Sequence, residues 1–541
     1  MLAAFSSSRL IMTSHNAFES SLVSSTFAIP LLATVVAYIS LCLLLHLTQD
    51  PAEPPPLLKS IPFLSPVLGM VSGRYKLFTS LRDRYGFPIY TLRLPGLRVY
   101  VVNDRSLISA IERSTRTLSF APIEAQAAAA VLGTSKVTNE IMAHDPGSDQ
   151  NHFAVFRKAV RPVLAPGPYL NAMFQRSFQT MSLSLDAQLT SAEPTKVDLL
   201  AWIRHEITLA GTDAEYGEAN PFRDPSIEES WQRRFVSGLP VLVGGVLPRV
   251  LARQSILARE RLVQRFLDYF EQAHHITGGS GAVHTRLRHN AAAGMPLADT
   301  ARGEVGACMA FLNNTVPGAF WVLYHMYADP AVLRHVREEL LAHAVVKDDD
   351  DNDNHHTLNV DSVLSACPIL KSTVHEVFRV RGIGTGMVRR VLADQRLGDS
   401  GYLLKKGALV FAPNSVQHQH LDRTRAWSGA DCDRFDHRRF LQPNGGGGLK
   451  GTSALRIFGG GGSYCPGRHF ASAQLLVFAA LVALRADIRP VPGRAWGHVT
   501  ADRSFGLGIA TGFLMPDSDL EVEILPTGMK INPRFTPRFT L

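Results

Sequence analysis

Residues 458 to 471 read Phe-Gly-Gly-Gly-Gly-Ser-Tyr-Cys-Pro-Gly-Arg-His-Phe-Ala, and few folds accept such a run. Glycine carries no Cβ, so four in a row allow tight bends and a close backbone approach to a flat ligand. Pro466 suits the first helical position, where its missing N–H costs nothing. Phe470, Leu475, Leu476, Phe478 and Leu481 then carry the apolar pattern of a helix onward. Cys465 is thereby expected at a helix start, facing unpaired N–H groups and the positive end of the helix dipole. Both lower a thiol pKa and favour a thiolate. A thiolate so placed is a nucleophile or a metal ligand. A phosphate loop is excluded, because no lysine follows the glycines.

The five cysteines (42, 308, 367, 432 and 465) form no Cys-x-x-Cys pair, which argues against a disulfide scaffold and for a reducing compartment. A hydrophobic share of 46% in 541 residues is ample for a large core. The net charge of +8 comes without a basic block interleaved with aromatics, so nucleic acid is not an expected partner. A basic face that docks an acidic protein is the functional reading of that charge.

From Ser20 to Gln49 there is no Asp, Glu, Lys or Arg, and Phe27 to Leu45 is almost wholly apolar. Nineteen helical residues span about 28 Å, close to the thickness of a bilayer core. Lys59, Arg74 and Lys76 follow, which places the C-terminal body in the cytosol by the positive-inside rule. The expected order is a lumenal tail (1–26), a transmembrane anchor (27–47), a stiff proline-rich linker (48–70), a catalytic body (71–525) and a poorly ordered tail (526–541).

Within the body, Tyr75 to Tyr85 reads as a helix. Pro88 to Val102 reads as two strands split at Pro95-Gly96, and Leu107 to Arg113 as a helix. Residues 153 to 342 are mainly helical, with breaks at Pro166–Pro168, Pro221–Pro225 and the glycines near 278–281. The acidic stretch 345–359 and His418-Gln-His420 read as solvated loops. Val305 to Met326 is a long apolar helix with a polar notch, Asn313-Asn314-Thr315, and then Pro317, which cannot donate to the Asn313 carbonyl. Glu376 and Arg379 lie three apart on one helix face and can pair.

The Cys465 segment resembles the haem loop of the cytochrome P450 superfamily, F-x-x-G-x-R-x-C-x-G. Phe458, Gly461, Cys465 and Gly467 are in register, and Ser463 stands where arginine is usual. Glu376-x-x-Arg379, with Arg439 in Phe-Asp-His-Arg-Arg-Phe (435–440), is similar to that family's structural ion-pair set, although His437 and Arg438 replace its usual Pro and Glu. Thr315 matches the oxygen-side threonine, and Asn314 stands where an acid is usual. Asn-Thr-x-Pro followed by Ala-Phe-Trp resembles the branch of sterol 7α- and 12α-hydroxylases and prostacyclin synthase, with fungal relatives.

The resemblance implies a mainly α fold with a smaller β-rich lobe and a single N-terminal transmembrane helix. It implies haem b (iron protoporphyrin IX) held by Cys465, with Phe458, Gly461, Ser463 and Gly467 around it. Arg157, in Phe153-x-x-x-Arg157, and either Arg389 or Arg390 would meet the haem propionates. Thr315 and Asn314 would be catalytic, and Asn313, Ser504 and Phe505 would line the substrate pocket. The implied activity is a monooxygenase of the endoplasmic reticulum membrane. Its electrons would come from NADPH through a separate NADPH–cytochrome P450 reductase, and its substrate would be a lipophilic small molecule. Asn314 also motivates a reductase-independent isomerase or dehydratase, because an amide orients water and cannot shuttle a proton. A haem-binding sensor without turnover is the third reading.

Overall fold

The computed structural model describes residues 9–57, 61–190, 193–245, 247–347, 355–383, 386–418, 434–442, 449–501 and 512–534, with side chains from residue 29 onward. Two buried helices organise the molecule. The first, the central helix Leu297–Ala328, continues through Pro317. The second, the Cys465 helix Arg468–Arg485, is apolar on every side and therefore sits inside the protein. Its length and hydropathy also suit a membrane span, but 78% of it is buried, so it is a core helix. It packs on Pro168–Gln188, where Phe174 stacks on Phe470 with ring centroids 5.8 Å apart. The largest apolar cluster joins these helices to Leu199–Tyr216 and Pro368–Arg381.

The β-rich lobe is built around a five-stranded sheet. Ile89–Leu94 and Leu97–Val102 form a tight hairpin in which Leu94 faces Leu97. Gly96 supplies the positive φ of 69° that the turn requires. Leu97–Val102 runs parallel to Leu409–Pro413, which pairs antiparallel with Gly386–Val391. Leu118–Ser119 closes the far edge. The predicted helix, hairpin and helix after residue 75 appear as Lys76–Tyr85, this hairpin and Arg105–Arg113. Helices break at Gly167, at Pro221–Pro225 and between Gly278 and Gly281, as the glycines and prolines indicate.

The N-terminal helix, the expected anchor, runs from Arg9 to Thr48. Its segment Ile29–Thr48 has mean hydropathy 2.2 and is 6% buried, so most of its apolar side chains are uncovered among the described residues, Leu45 excepted.

Several expectations need correcting. The linker is extended only at first, because Leu64–Gly73 is a helix. After Glu523 the chain is ordered as far as Arg534, where the described residues end: Glu521–Pro526 pairs with Ala486–Pro490, and Lys530–Arg534 pairs with His355–Asn359. That pairing also turns the flanks of the acidic run into strands, Val345–Lys347 and His355–Asn359, while Asp348 to Asp351 lie outside the described residues. His418 is fully buried and is no surface loop residue, and His420 lies outside the described residues.

Candidate active site

Cys465 sits between a short turn, Gly461–Ser463, and the Cys465 helix. Its N–H donates to the Phe458 carbonyl at 2.9 Å, which closes the glycine loop. Gly459 and Gly461 adopt φ of 76° and 58°, a region costly for any residue with a Cβ. A Cβ on Gly460 would strike the Arg456–Glu112 ion pair. Gly467 differs from these. It has negative φ, and a Cβ there would meet nothing within 4 Å. Neither backbone conformation nor protein packing demands glycine at 467, and the space at that position is open.

The helix begins at Arg468, so Pro466 precedes it by two residues instead of opening it. The thiol also departs from expectation. Burial pushes Cys465 above its ordinary pKa, and the Gly467 and Arg468 N–H groups with the Arg468 guanidinium only partly oppose that. Desolvation outweighs the helix start. A stable thiolate here needs a further positive charge, which a coordinated metal supplies outright. Cys308 and Cys367 are also raised by burial, but no backbone N–H opposes it at either. Phe458 packs edge-on against Phe378, centroids 5.6 Å apart.

Beneath the loop lies a buried charge cluster. Arg379 donates from Nε and Nη2 to both oxygens of Glu376, each at 2.8 Å. Arg439 Nε adds a bond to Glu376 Oε1 at 2.9 Å, and the Asp436 N–H adds another at 3.0 Å. Arg379 is 1% exposed and Glu376 has no exposure. The loss of the usual Pro and Glu leaves this set intact. His437 instead stacks on His335, with a ring-nitrogen contact of 3.0 Å.

A cavity of about 260 Å³ beside the loop is lined by Arg157, Arg389, Ser463, Gly462, Phe120 and Arg161, among others. The pleat sends the two strand arginines to opposite faces. Residues of Gly386–Val391 alternate in burial, so Arg389 is 7% exposed and faces this cavity. Burial pulls its guanidinium down to about 10. Arg390 points the other way, bonding the Gly407 carbonyl at 2.9 Å and Gln126 at 3.3 Å. Arg157 is already paired with Glu124 at 2.8 Å, a partner that sequence reasoning missed. It also missed Arg161, one turn further along the same helix, whose Nη2 donates to the Gly462 carbonyl at 2.8 Å. A cation four residues after Arg157 was the available signal.

On the central helix, the Thr315 hydroxyl donates to the Phe311 carbonyl at 2.7 Å. Asn314 accepts the Gly512 N–H at 2.6 Å and donates to the Ala310 carbonyl at 2.9 Å. Asn313 is buried, and its Nδ2 has no partner among the described residues. Ser504 and Phe505 lie outside the described residues, but Phe513 and Leu514 are buried against the same helix. There Trp321 Nε1 donates to the Leu514 carbonyl at 2.7 Å.

The donor set and the space fit a haem-thiolate centre. They offer one thiol at a helix start, open space two residues on at Gly467, and arginines in a cavity that Gly462 and Ser463 help to line. The chain belongs to the cytochrome P450 family, the haem-thiolate class, and is a cytochrome P450 monooxygenase. It is 30% identical to the cytochrome P450 monooxygenase nodJ of Hypoxylon pulicicidum over 478 residues, covering 85% of this chain and 89% of that protein. The family profile described as Cytochrome P450 matches residues 306–499. The 7-alpha-hydroxycholest-4-en-3-one 12-alpha-hydroxylase of Homo sapiens is 24% identical, covering 88% of this chain and 94% of the relative. Among solved structures, a retinoic acid-bound cyanobacterial CYP120A1 superposes with a TM-score of 0.65 at 18% identity. It covers 88% of this chain and all of that one, and supports the fold.

Proposed function

We propose that this monooxygenase works at the endoplasmic reticulum membrane, its body cytosolic, oxidising a lipophilic small molecule in secondary-metabolite, terpenoid or sterol metabolism. Cys465 Sγ would hold haem b, and electrons would come from NADPH through NADPH–cytochrome P450 reductase. Bound haem would supply the reductive activation of dioxygen.

The chain's own groups have separable tasks. Phe458 covers the sulfur side of the loop, and its carbonyl fixes the Cys465 backbone. Arg389 and Arg157 hold the carboxylates at the cavity end, where Ser463 brings no charge. Thr315 donates its proton to Phe311, leaving the Oγ lone pairs to accept from water. Asn314 is neutral and engaged on both ends, so proton delivery falls to Thr315 and ordered water. Arg161 and Arg468 flank a second cleft against Gly461, Tyr464 and Pro466, a basic surface suited to an acidic electron donor. The sterol hydroxylase among the relatives favours an apolar polycyclic substrate.

The observation that carries this reading is Cys465 closed onto Phe458, with open space at Gly467. The test is the ferrous–CO spectrum of the purified protein, where thiolate ligation gives a red-shifted Soret band. An unshifted band overturns it. Asn314 in place of an acid favours a second reading, an isomerase or dehydratase that runs without a reductase. Strict dependence of turnover on NADPH and reductase removes that second reading.

A further inference from the structure

The last turn of the anchor helix is held by cations. Arg93 donates to the Thr48 carbonyl at 3.2 Å and to its hydroxyl at 2.9 Å. Arg98 donates to the same carbonyl at 2.8 Å. The two arginines are directly opposed across the hairpin of the five-stranded sheet. They therefore sit side by side at the negative end of the helix dipole. With Lys406, Leu44, Phe63 and Leu94 they line a cleft of about 430 Å³.

The charges in this cleft are unbalanced. Arg98 meets Glu53 at 3.0 Å, but neither Arg93 nor Lys406 meets a carboxylate among the described residues. Burial and the adjacent Arg98 pull Arg93 below its ordinary value, and Glu53 and Tyr100 only partly oppose them, so an anion would relieve like-charge repulsion. The opposite wall is apolar. Leu44 on the anchor helix, part of that lining, is 49% exposed, and Leu47, on the same helix but outside the lining, is 73% exposed. Nearby, Ile61, Leu64, Leu68 and Val71 fall at helical spacing and are all exposed, a further apolar face without a protein partner.

We propose that this cleft binds the headgroup of an anionic phospholipid of the cytosolic leaflet, its phosphate on Arg93 and Lys406 and its acyl chains along the anchor helix. The occupant follows from position. The cleft opens where a bilayer-length apolar helix ends, and it pairs a basic wall with an apolar one, as a phospholipid requires. The inference rests on the membrane location given under Proposed function, with the N-terminal helix as its anchor.

The test uses the full-length protein reconstituted in phosphatidylcholine vesicles containing a minor share of phosphatidylserine. Flotation is read first, and failure to float overturns the anchor and this site together. The protein is then extracted in mild detergent and its retained lipid measured by native mass spectrometry. Phosphatidylserine should be enriched roughly fivefold per basic contact over its bulk share. Arg93→Gln with Lys406→Gln should return it to that share, with flotation and the ferrous–CO spectrum unchanged. Both positions are solvent-accessible, so the variant should fold. Flotation without enrichment, or enrichment that survives the double substitution, overturns the site alone. Excess inorganic phosphate should leave the enrichment in place, and complete displacement by it overturns the lipid in favour of a free-anion site.

Discussion

Asn314 Oδ1 accepts the Gly512 N–H at 2.6 Å, tying the central helix to a segment 198 residues away. The same side chain donates to the Ala310 carbonyl, so its orientation is fixed from both ends. Removing it leaves a part-buried N–H without its acceptor, a cost of about 1 kcal/mol. Asn314→Ala should speed amide hydrogen exchange at Gly512 to Leu514. Asn314→Asp keeps an acceptor and should preserve protection of Gly512. Equal exchange in wild type and the alanine variant counts against the tether.

Glu376 is the hub of the ion cluster, bonding Arg379, Arg439 and the Asp436 N–H. Breaking a buried, hydrogen-bonded pair strands its partners, at about 3 to 5 kcal/mol. Glu376→Gln should lower stability on that scale and reduce haem retention. Denaturant unfolding followed by fluorescence measures the first, and the haem-to-protein absorbance ratio the second. Arg439 is more exposed, so Arg439→Lys should have the smaller effect.

The two strand arginines should separate cleanly. Arg389 faces the cavity beside Ser463, whereas Arg390 bonds the Gly407 carbonyl on the other face. Arg389→Gln should accelerate haem loss to apomyoglobin by roughly tenfold, the loss of one charge-assisted contact of about 1.5 kcal/mol. Arg390→Gln should leave the rate near wild type. Equal effects of the two would contradict the assignment.

His418 sets a pH dependence. Its Nε2 accepts the Arg456 N–H at 2.9 Å, and burial, reinforced by Arg379, pulls its pKa to about 3. In the unfolded chain a histidine titrates near 6.5. Between these values the unfolded state binds the extra proton, so this group's stability contribution is whole above about 6.5. It is lost progressively as pH falls towards 3. His418→Gln should flatten the fall in melting temperature between pH 6.5 and 4 by about one proton's worth. An unchanged slope removes His418 as its source.

Most of the site was legible because its signals are local. Gly459 and Gly461 are glycine for their positive φ, and Pro95-Gly96 marks a hairpin turn by the same logic. The spacing of Glu376 and Arg379 announces a pair on one helix face. Arg439 was reached by likeness to a family pattern and not by spacing, yet its bond to Glu376 forms with the neighbouring motif residues changed.

The sequence by itself determined the elements: an uncharged helical stretch from Ser20 long enough to span a bilayer, a hairpin, a long central helix carrying Pro317 and a glycine loop ending in Cys465. These follow from dihedral preference and periodicity, which neighbouring residues dictate. Only the tertiary structure decided what each side chain meets. It turned Arg389 inward, gave Arg157 to Glu124, bound Asn314 to Gly512 and sealed His418 in the core. It also reversed the expected shift of the Cys465 thiol. Burial and long-range pairing arise only when distant segments pack, and desolvation at Cys465 then outweighs the helix start that the local sequence provides.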